Sequence, residues 1–348
     1  MSFQVIIQPS KHQFPVEPGQ TVLDGALAAG IVLPYSCRNG ACSTCKGKVV
    51  SGEFDAGQYP AQILSPEELA DGYTLFCQAR PASDMVVEST EVRLASDIQI
   101  RKLPSRVQTM EKAAPDVVVL KLQLPASEQF RYYAGQYIEI ILKDGRRRSY
   151  SMAGAPHTGS PLELHIRHLP GGVFTDHVFG AGDTQMKERE ILRLEGPFGS
   201  FFLREDSDKP IILLASGTGF APVKAIVEHM IHKNIRRPVA LYWGGRRPRD
   251  LYMDELARSW ARDLPDFRYV PVVSNALEED GWTGRDGFVH DAVMRDIADM
   301  SGHQVYACGA PPMVDAARRE FSAQCGLPPE EFYADAFTSE ADLAKAAG

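Results

Sequence analysis

Six cysteines occur in this 348-residue chain, and four of them are spaced for chemistry. Cys37, Cys42 and Cys45 form a C-x4-C-x2-C run, and Cys77 follows beyond a stretch of 31 residues. That spacing is one in which four thiolates hold a [2Fe–2S] cluster, a centre that moves one electron at a time. A four-cysteine zinc site is the competing reading, but structural zinc usually brings two C-x2–4-C pairs. Here Cys77 stands alone in Leu75-Phe76-Cys77-Gln78-Ala79-Arg80, so the run predicts Cys37, Cys42, Cys45 and Cys77 as cluster ligands. Gly40 and Gly47 relieve crowding around them. Small Ala41, Ser43 and Thr44 leave backbone N–H groups free to point at sulfur.

Other stretches carry chemistry further along. Arg148-Ser149-Tyr150-Ser151, followed by Gly171-Gly172-Val173-Phe174-Thr175, resembles the flavin-binding signature of the ferredoxin–NADP reductase family. The resemblance implies FAD, with Arg148 on a flavin phosphate through its planar fork. Ser149 and Tyr150 then lie along the ring, with Ser151 at the N5 edge where hydride arrives. Thr175 and the N–H groups of Gly172 and Val173 suit the pyrophosphate, especially if Thr175 caps a helix. Ala215-Ser216-Gly217-Thr218-Gly219-Phe220-Ala221-Pro222 matches the family's G-T-G-x-x-P nucleotide loop. Gly217 and Gly219 let backbone pass close to a pyrophosphate, Thr218 lies between them, and Pro222 is tolerated in a helix's first turn. Cys308-Gly309-Ala310-Pro311-Pro312-Met313 looks like the family's C-G-x-x-x-M element. It implies that Cys308 sits near nicotinamide C4, helping to position the ring beside Gly309 and Met313; a buried structural cysteine is the alternative. After the second strand of the nucleotide part, Gly245 and Arg246 are expected near the adenosine ribose. Arg246 or Arg247 can meet a 2′-phosphate, pair with Asp250 or project into water. The reading leans to NADH, with NADPH possible. Asp335-Ala336-Phe337 resembles the family's final strand, with Phe337 either covering the flavin or packed in a core. His165, His168 and His177 lack a metal-ligand arrangement and read as packing or hydrogen-bonding residues.

Three kinds of element must position these groups. Residues 1–92 resemble plant-type ferredoxins, an α+β β-grasp fold with an opening strand at Phe3–Ile7 and a helix near Thr21–Gly30. A linker is expected over 93–103. Residues 104–205 read as short strands at 117–124, 136–142, 148–152, 162–167 and 190–194, broken by Gly and Pro turns, which suggests an antiparallel β-barrel for the flavin. Residues 206–338 change pattern: Ile211-Ile212-Leu213-Leu214 is a continuous apolar run, and strands then alternate with helices. That alternation predicts a doubly wound parallel sheet for the nucleotide. Residues 339–348 are an Ala-rich tail.

Composition narrows the function classes. A net charge of −8 argues against a nucleic-acid partner. No apolar run reaches the length of a membrane span, and a cytoplasmic location is the expectation. Residues 1–92 hold ten Asp and Glu against five Lys and Arg, an acidic part that suits a basic partner. The whole chain thus resembles the ferredoxin-containing branch of the reductase family, of the CDP-6-deoxy-Δ3,4-glucoseen reductase type. That resemblance implies an enzyme passing electrons from NAD(P)H through FAD and one [2Fe–2S] cluster to a one-electron acceptor protein. The acceptor implied is a deoxysugar dehydrase. The rival acceptor is a ring-hydroxylating or other oxygenase component, and the reading from another class is a non-catalytic metal-binding scaffold.

Overall fold

In Phe3–Gln8 (β1) Val5 and Ile7 are buried while Gln4, Ile6 and Gln8 face outward, the period-two pattern of a strand lying on a core. The computed structural model describes residues 2–89, 91–94 and 98–338. Beyond β1 its N-terminal part contains β2 (Gln13–Val16), α1 (Val22–Ala28), β3 (Ile31–Val32), β4 (Lys46–Ser51), β5 (Phe54–Asp55), α2 (Pro66–Ala70), β6 (Tyr73–Leu75), β7 (Arg80–Pro81), β8 (Met85–Glu88) and β9 (Arg93–Leu94). Five strands join in the order β2-β1-β8-β4-β6, with β1 and β8 parallel and the other pairs antiparallel. Helix α1 starts where Thr21 Oγ1 accepts the Asp24 N–H, and its buried Val22, Leu23 and Ala26 face the sheet core. This is the expected β-grasp.

The middle of the chain holds β10 (Arg101–Ala114), β11 (Val117–Gln123), β12 (Tyr137–Ile141), β13 (Arg147–Ser151), β14 (Leu162–Arg167), α3 (Val173–Phe179) and β15 (Ile191–Phe198). They form a six-stranded sheet in the order β13-β12-β15-β10-β11-β14 with antiparallel pairing. Its edges meet through a Met152–Leu164 bridge and the Ala153 N–H to Glu163 C=O bond, so the sheet closes as the expected barrel. Leu120, Leu122, Ile138, Ile140, Leu164 and Leu194 fill it. The long strand β10 departs from the expected strand set. Its sequence is polar and interrupted by Pro104, and only Leu103, Ser105 and Val107 alternate inward near its start.

The C-terminal part contains β16 (Ile211–Ser216), α4 (Phe220–Lys233), β17 (Val239–Gly245), α5 (Asp254–Asp263), β18 (Phe267–Val273), β19 (Arg285–Asp286), α6 (Val289–Asp296), β20 (Gln304–Gly309), α7 (Pro311–Cys325) and β21 (Phe332–Ala336). The strand order is β19-β18-β17-β16-β20-β21, with parallel pairing from β19 to β20. From β16 the chain first winds toward β17 and later returns to place β20 on the other side. Such a switch point opens a crevice at the carboxyl ends of β16 and β20, where ligands bind in open α/β sheets. By packing, the chain divides into two compact units. Among the described residues, one comprises those up to 98, 199–201 and 334–338; the other, residues 99–198 and 202–333, contains both the barrel and most of the parallel sheet. Among the described residues no helix is long and apolar enough to cross a membrane.

Candidate functional site

The cysteine loop is held by unusual backbone. Arg38, Gly40 and Ser43 have φ of 59°, 83° and 51°, so the chain folds back on itself within a few residues. Gly47 is required for a different reason: a Cβ there would lie 2.2 Å from the Phe76 ring. Cys42, Cys45 and Cys77 are buried and Cys37 is half-buried. Cys37 hydrogen-bonds to Cys42, whose sulfur also accepts the Cys37 N–H at 3.4 Å; Cys45 hydrogen-bonds to Cys77, which accepts from Gln78 Nε2 at 3.7 Å. Within each pair one thiol is made acidic by its neighbour. The hydrogen bond from Cys37 lowers Cys42 to about 6, and that from Cys45 lowers Cys77. The same hydrogen bonds, together with burial, push Cys37 and Cys45 up. Four close, shielded sulfurs whose negative charges oppose one another are a donor set that a cationic iron centre satisfies.

On β13, Arg148 and Tyr150 are half-buried, Ser149 is exposed and Ser151 is buried. The Tyr150 ring lies 5.4 Å from that of Phe174 on α3, so the two sequence stretches expected to hold flavin are neighbours in space. Burial pushes the Tyr150 phenol up and keeps it protonated. The three consecutive arginines separate by role: Arg146 pairs with Asp144, and Arg147 with Glu139 and Glu195, while Arg148 Nη1 donates to the Arg147 carbonyl. Thr175 does not cap the helix. Gly172 occupies that position, and Thr175 sits inside the first turn, its hydroxyl donating to the Leu169 carbonyl at 2.9 Å. A helical cap needs extended backbone, which Gly172 has and Thr175 lacks.

The nucleotide loop and the Cys308 stretch meet at the switch point. A Cβ on Gly219 would lie 2.1 Å from the Cys308 carbonyl oxygen, and one on Gly309 would lie 2.2 Å from Ser216 Oγ. Ser216 Oγ instead accepts the Ala310 N–H at 2.9 Å. Glycine is thus the residue that lets these two strand ends close together around a backbone cradle. Gly217 adopts φ 53° and its carbonyl accepts Trp243 Nε1 at 3.0 Å; Phe220 stacks on Trp243 at 3.9 Å. Thr218 is half-buried between the glycines, and Pro222 is buried in the first turn of α4, where an N–H is not needed. Cys308 is fully buried and Met313 half-buried in the first turn of α7. Gly245 is half-buried at the end of β17, and Arg246 beside it is exposed. Asp250 takes the backbone N–H groups of Arg246 and Arg247, at 2.8 and 3.0 Å, and neither guanidinium. Phe337 is half-buried just beyond β21, where buried Asp335 accepts a hydrogen bond from Ser36 Oγ at 2.5 Å.

Sequence reasoning missed a polar array joining the barrel to the parallel sheet inside one unit. Glu163, His165 and Arg167 alternate along the outward face of β14, away from Leu162, Leu164 and Ile166. Lys224 Nζ of α4 lies 3.1 Å from Glu163 and 2.8 Å from Glu228. His165 Nδ1 is 2.8 Å from the Tyr252 hydroxyl and its Nε2 is 3.0 Å from Glu163. Burial opposes the charge on Glu163, but the His165 bond and the Lys224 charge outweigh it and hold the carboxyl at about 2. Burial lowers His165, against the pull of Glu163, so the ring is neutral; its Nε2–H donates to Glu163 and its Nδ1 accepts from Tyr252. Burial likewise keeps Tyr252 protonated. His168 and His177 also hydrogen-bond locally, to Asp176 and to Thr184 and Glu190.

Three family models match in chain order: a 2Fe-2S iron-sulfur cluster binding domain over residues 5–82, an oxidoreductase FAD-binding domain over 104–203 and an oxidoreductase NAD-binding domain over 213–319. The CDP-6-deoxy-L-threo-D-glycero-4-hexulose-3-dehydrase reductase of Yersinia pseudotuberculosis is 42% identical, covering 97% of this chain and 99% of that protein. The chain is a ferredoxin-containing member of the ferredoxin–NADP reductase family. The reductase component 1 of terephthalate 1,2-dioxygenase from Comamonas is 36% identical over 97% of this chain and 98% of its own. The crystal structure of the Amycolatopsis cytochrome P450 reductase GcoB superimposes with a TM-score of 0.77 at 36% identity, covering 97% and 99% of the two chains. The reductase is therefore an NAD(P)H-dependent oxidoreductase that uses FAD and a [2Fe–2S] cluster to carry electrons onward.

Proposed function

We propose that the reductase draws electrons from a nicotinamide nucleotide and delivers them singly to a sugar dehydrase acting in deoxysugar formation. The observation that carries the choice of acceptor is the 42% identity, over nearly the full length of both chains, with the Yersinia dehydrase reductase. The proposal keeps the division expected above, cluster domain 1–92, linker 93–103, flavin barrel 104–205 and nucleotide domain 206–338, although β9 and the start of β10 take up the two ends of that linker. The tail at 339–348 lies outside the described residues. Cys37, Cys42, Cys45 and Cys77 are assigned to the cluster. Arg148, Ser149, Tyr150 and Ser151, with Gly172, Val173 and Thr175, are assigned to FAD. Gly217, Thr218, Gly219, Pro222, Gly245, Arg246, Gly309 and Met313 are assigned to the nucleotide.

FAD when bound exchanges electrons both in pairs and singly, which reconciles a hydride donor with a one-electron cluster. The protein's part is positional. The Gly217–Gly219 and Gly309 backbone receives the pyrophosphate side without steric interference. Cys308 and Ser151 flank the reacting edges and orient them. The cysteine loop supplies thiolates, and its N–H groups tune the cluster, for which a potential of roughly −400 mV is expected.

A second reading has support of its own: the Comamonas and Amycolatopsis relatives are named as reductases of a dioxygenase and of a cytochrome P450. Anaerobic titration of the holoenzyme with NADH, followed by optical and EPR spectra, tests the shared core. Mixing the reduced protein with a purified sugar dehydrase and its substrate then tests the acceptor. Reoxidation with deoxysugar formation is the expected result. Reoxidation by an oxygenase component alone transfers the assignment to the second reading, and protein that NADH does not bleach removes both.

A further inference from the structure

The carboxyl end of β17 is where this sheet topology brings the adenosine ribose, and an arginine there is the usual means of accepting a 2′-phosphate. Arg247 stands at that place with its Nε–Nη2 edge already taken. Its Nε donates to Asp280 Oδ2 at 2.6 Å, its Nη2 to Asp280 Oδ1 at 2.8 Å, and Nη2 also reaches Glu279 Oε1 at 3.3 Å. Both acids belong to a short turn, Glu278–Asp280, that follows β18. The turn is anchored, because Asp280 Oδ2 also accepts the Leu277 N–H at 2.9 Å. The chain leading to it is pinned beside the end of β17, where the Ser274 N–H donates to the Gly245 carbonyl and the Asn275 N–H to the Arg246 carbonyl, each at 2.9 Å. The Arg247 backbone is fixed as well, by Asp250. A planar guanidinium grips carboxylate and phosphate through the same pair of N–H groups, so one fork serves one of them at a time.

We propose that Asp280, with Glu279, masks Arg247 as a latent 2′-phosphate site and thereby sets the reductase's preference for NADH over NADPH. The inference rests on reading residues 206–338 as the nucleotide domain. To bind here, NADPH must break a two-point ion pair and then leave its phosphate beside two carboxylates, one of them newly unpaired. NADH meets neither cost, since a ribose hydroxyl carries no charge. Discrimination of this kind works by repulsion of the wrong ligand rather than by extra attraction for the right one.

The test compares wild-type holoenzyme with Glu279→Gln/Asp280→Asn, Arg247→Ala and the triple variant. One readout is the NADPH-to-NADH ratio of kcat/KM with ferricyanide; the other, free of turnover, is calorimetric binding of 2′,5′-ADP against 5′-ADP. Wild type is expected to favour NADH by about 100-fold and to bind 2′,5′-ADP no better than 5′-ADP. The double variant raises both the ratio and the relative 2′,5′-ADP affinity about tenfold, the equivalent of one charge-assisted hydrogen bond. Arg247→Ala alone does not raise the ratio, since both carboxylates remain and lose their cation, and in the triple variant the gain disappears. An unchanged double variant, a gain that survives loss of Arg247, or a wild type that prefers NADPH overturns the masking while 5′-ADP binding still upholds the nucleotide domain. Wild-type protein that binds neither ADP form overturns that domain reading and the masking together.

Discussion

A thiolate binds iron through a soft, polarisable sulfur that a serine hydroxyl does not replace. Serine at Cys37, Cys42, Cys45 or Cys77 is therefore expected to remove most of the acid-labile sulfide and the EPR signal of the reduced protein. Flavin absorbance should be retained, because the barrel draws none of its core from the cysteine loop. The same scale holds a pH effect. His165 is lowered by burial and Glu163 is held at about 2, so the folded protein binds fewer protons in acid than the unfolded chain. Stability from His165 is complete above about 6.5 and declines as pH falls below that value; stability from Glu163 declines only from about 4.5 toward 2. Urea midpoints between pH 8 and 5 should therefore fall in wild type and fall less steeply in His165→Gln. Equal slopes would refute the assignment of a neutral His165. None of this is legible locally: His165 and Tyr252 are 87 residues apart, and a histidine read as hydrogen-bonding carries no hint of its partner.

At the scale of elements, glycine positions separate the two halves of electron transfer. Gly47→Ala drives a methyl group into the Phe76 ring, and Gly219→Ala drives one into the Cys308 carbonyl. Overpacking of this kind costs about 1–3 kcal/mol. Gly47→Ala is expected to lose cluster while NADH still bleaches the flavin. Gly219→Ala is expected to keep the cluster and slow flavin reduction at least about tenfold in stopped flow, since the closed strand ends are what shape the cradle. The strand-and-helix rhythm after Pro210 is readable because a buried parallel strand is apolar on both faces, as Ile211–Leu214 is. Strand β10 is not, because only one face of its opening half meets the core and its second half, residues 108–114, mixes polar residues with Met110 and two alanines without alternation. The helical position of Thr175 escapes for a related reason: glycine and threonine are both accepted as caps, and which of Gly172 and Thr175 serves is decided by backbone angles.

For the whole molecule, the decisive feature is that a pair-wise donor and a one-electron centre are served by separate parts of one chain. Chelation of iron should therefore abolish reduction of cytochrome c while sparing NADH-dependent reduction of ferricyanide; loss of both in parallel would contradict the order NAD(P)H, flavin, cluster. Within the unit that contains barrel and parallel sheet, the pair between buried Lys224 and half-buried Glu163 ties α4 to β14. Lys224→Met leaves half-buried Glu163 with only its His165 hydrogen bond and should cost about 1–3 kcal/mol in urea denaturation. The sequence by itself determined which cofactors the chain carries and in what order. Those depend on residue types at short spacings, such as Cys37 to Cys45 or Gly217 to Gly219, where chain connectivity alone brings the groups together. Only the tertiary structure decided which charges are spent on one another. Arg247 meets Asp280 across 33 residues, and Lys224 meets Glu163 from a different domain. Such pairs depend on how strands stack and where loops end, and no local pattern of residues encodes that.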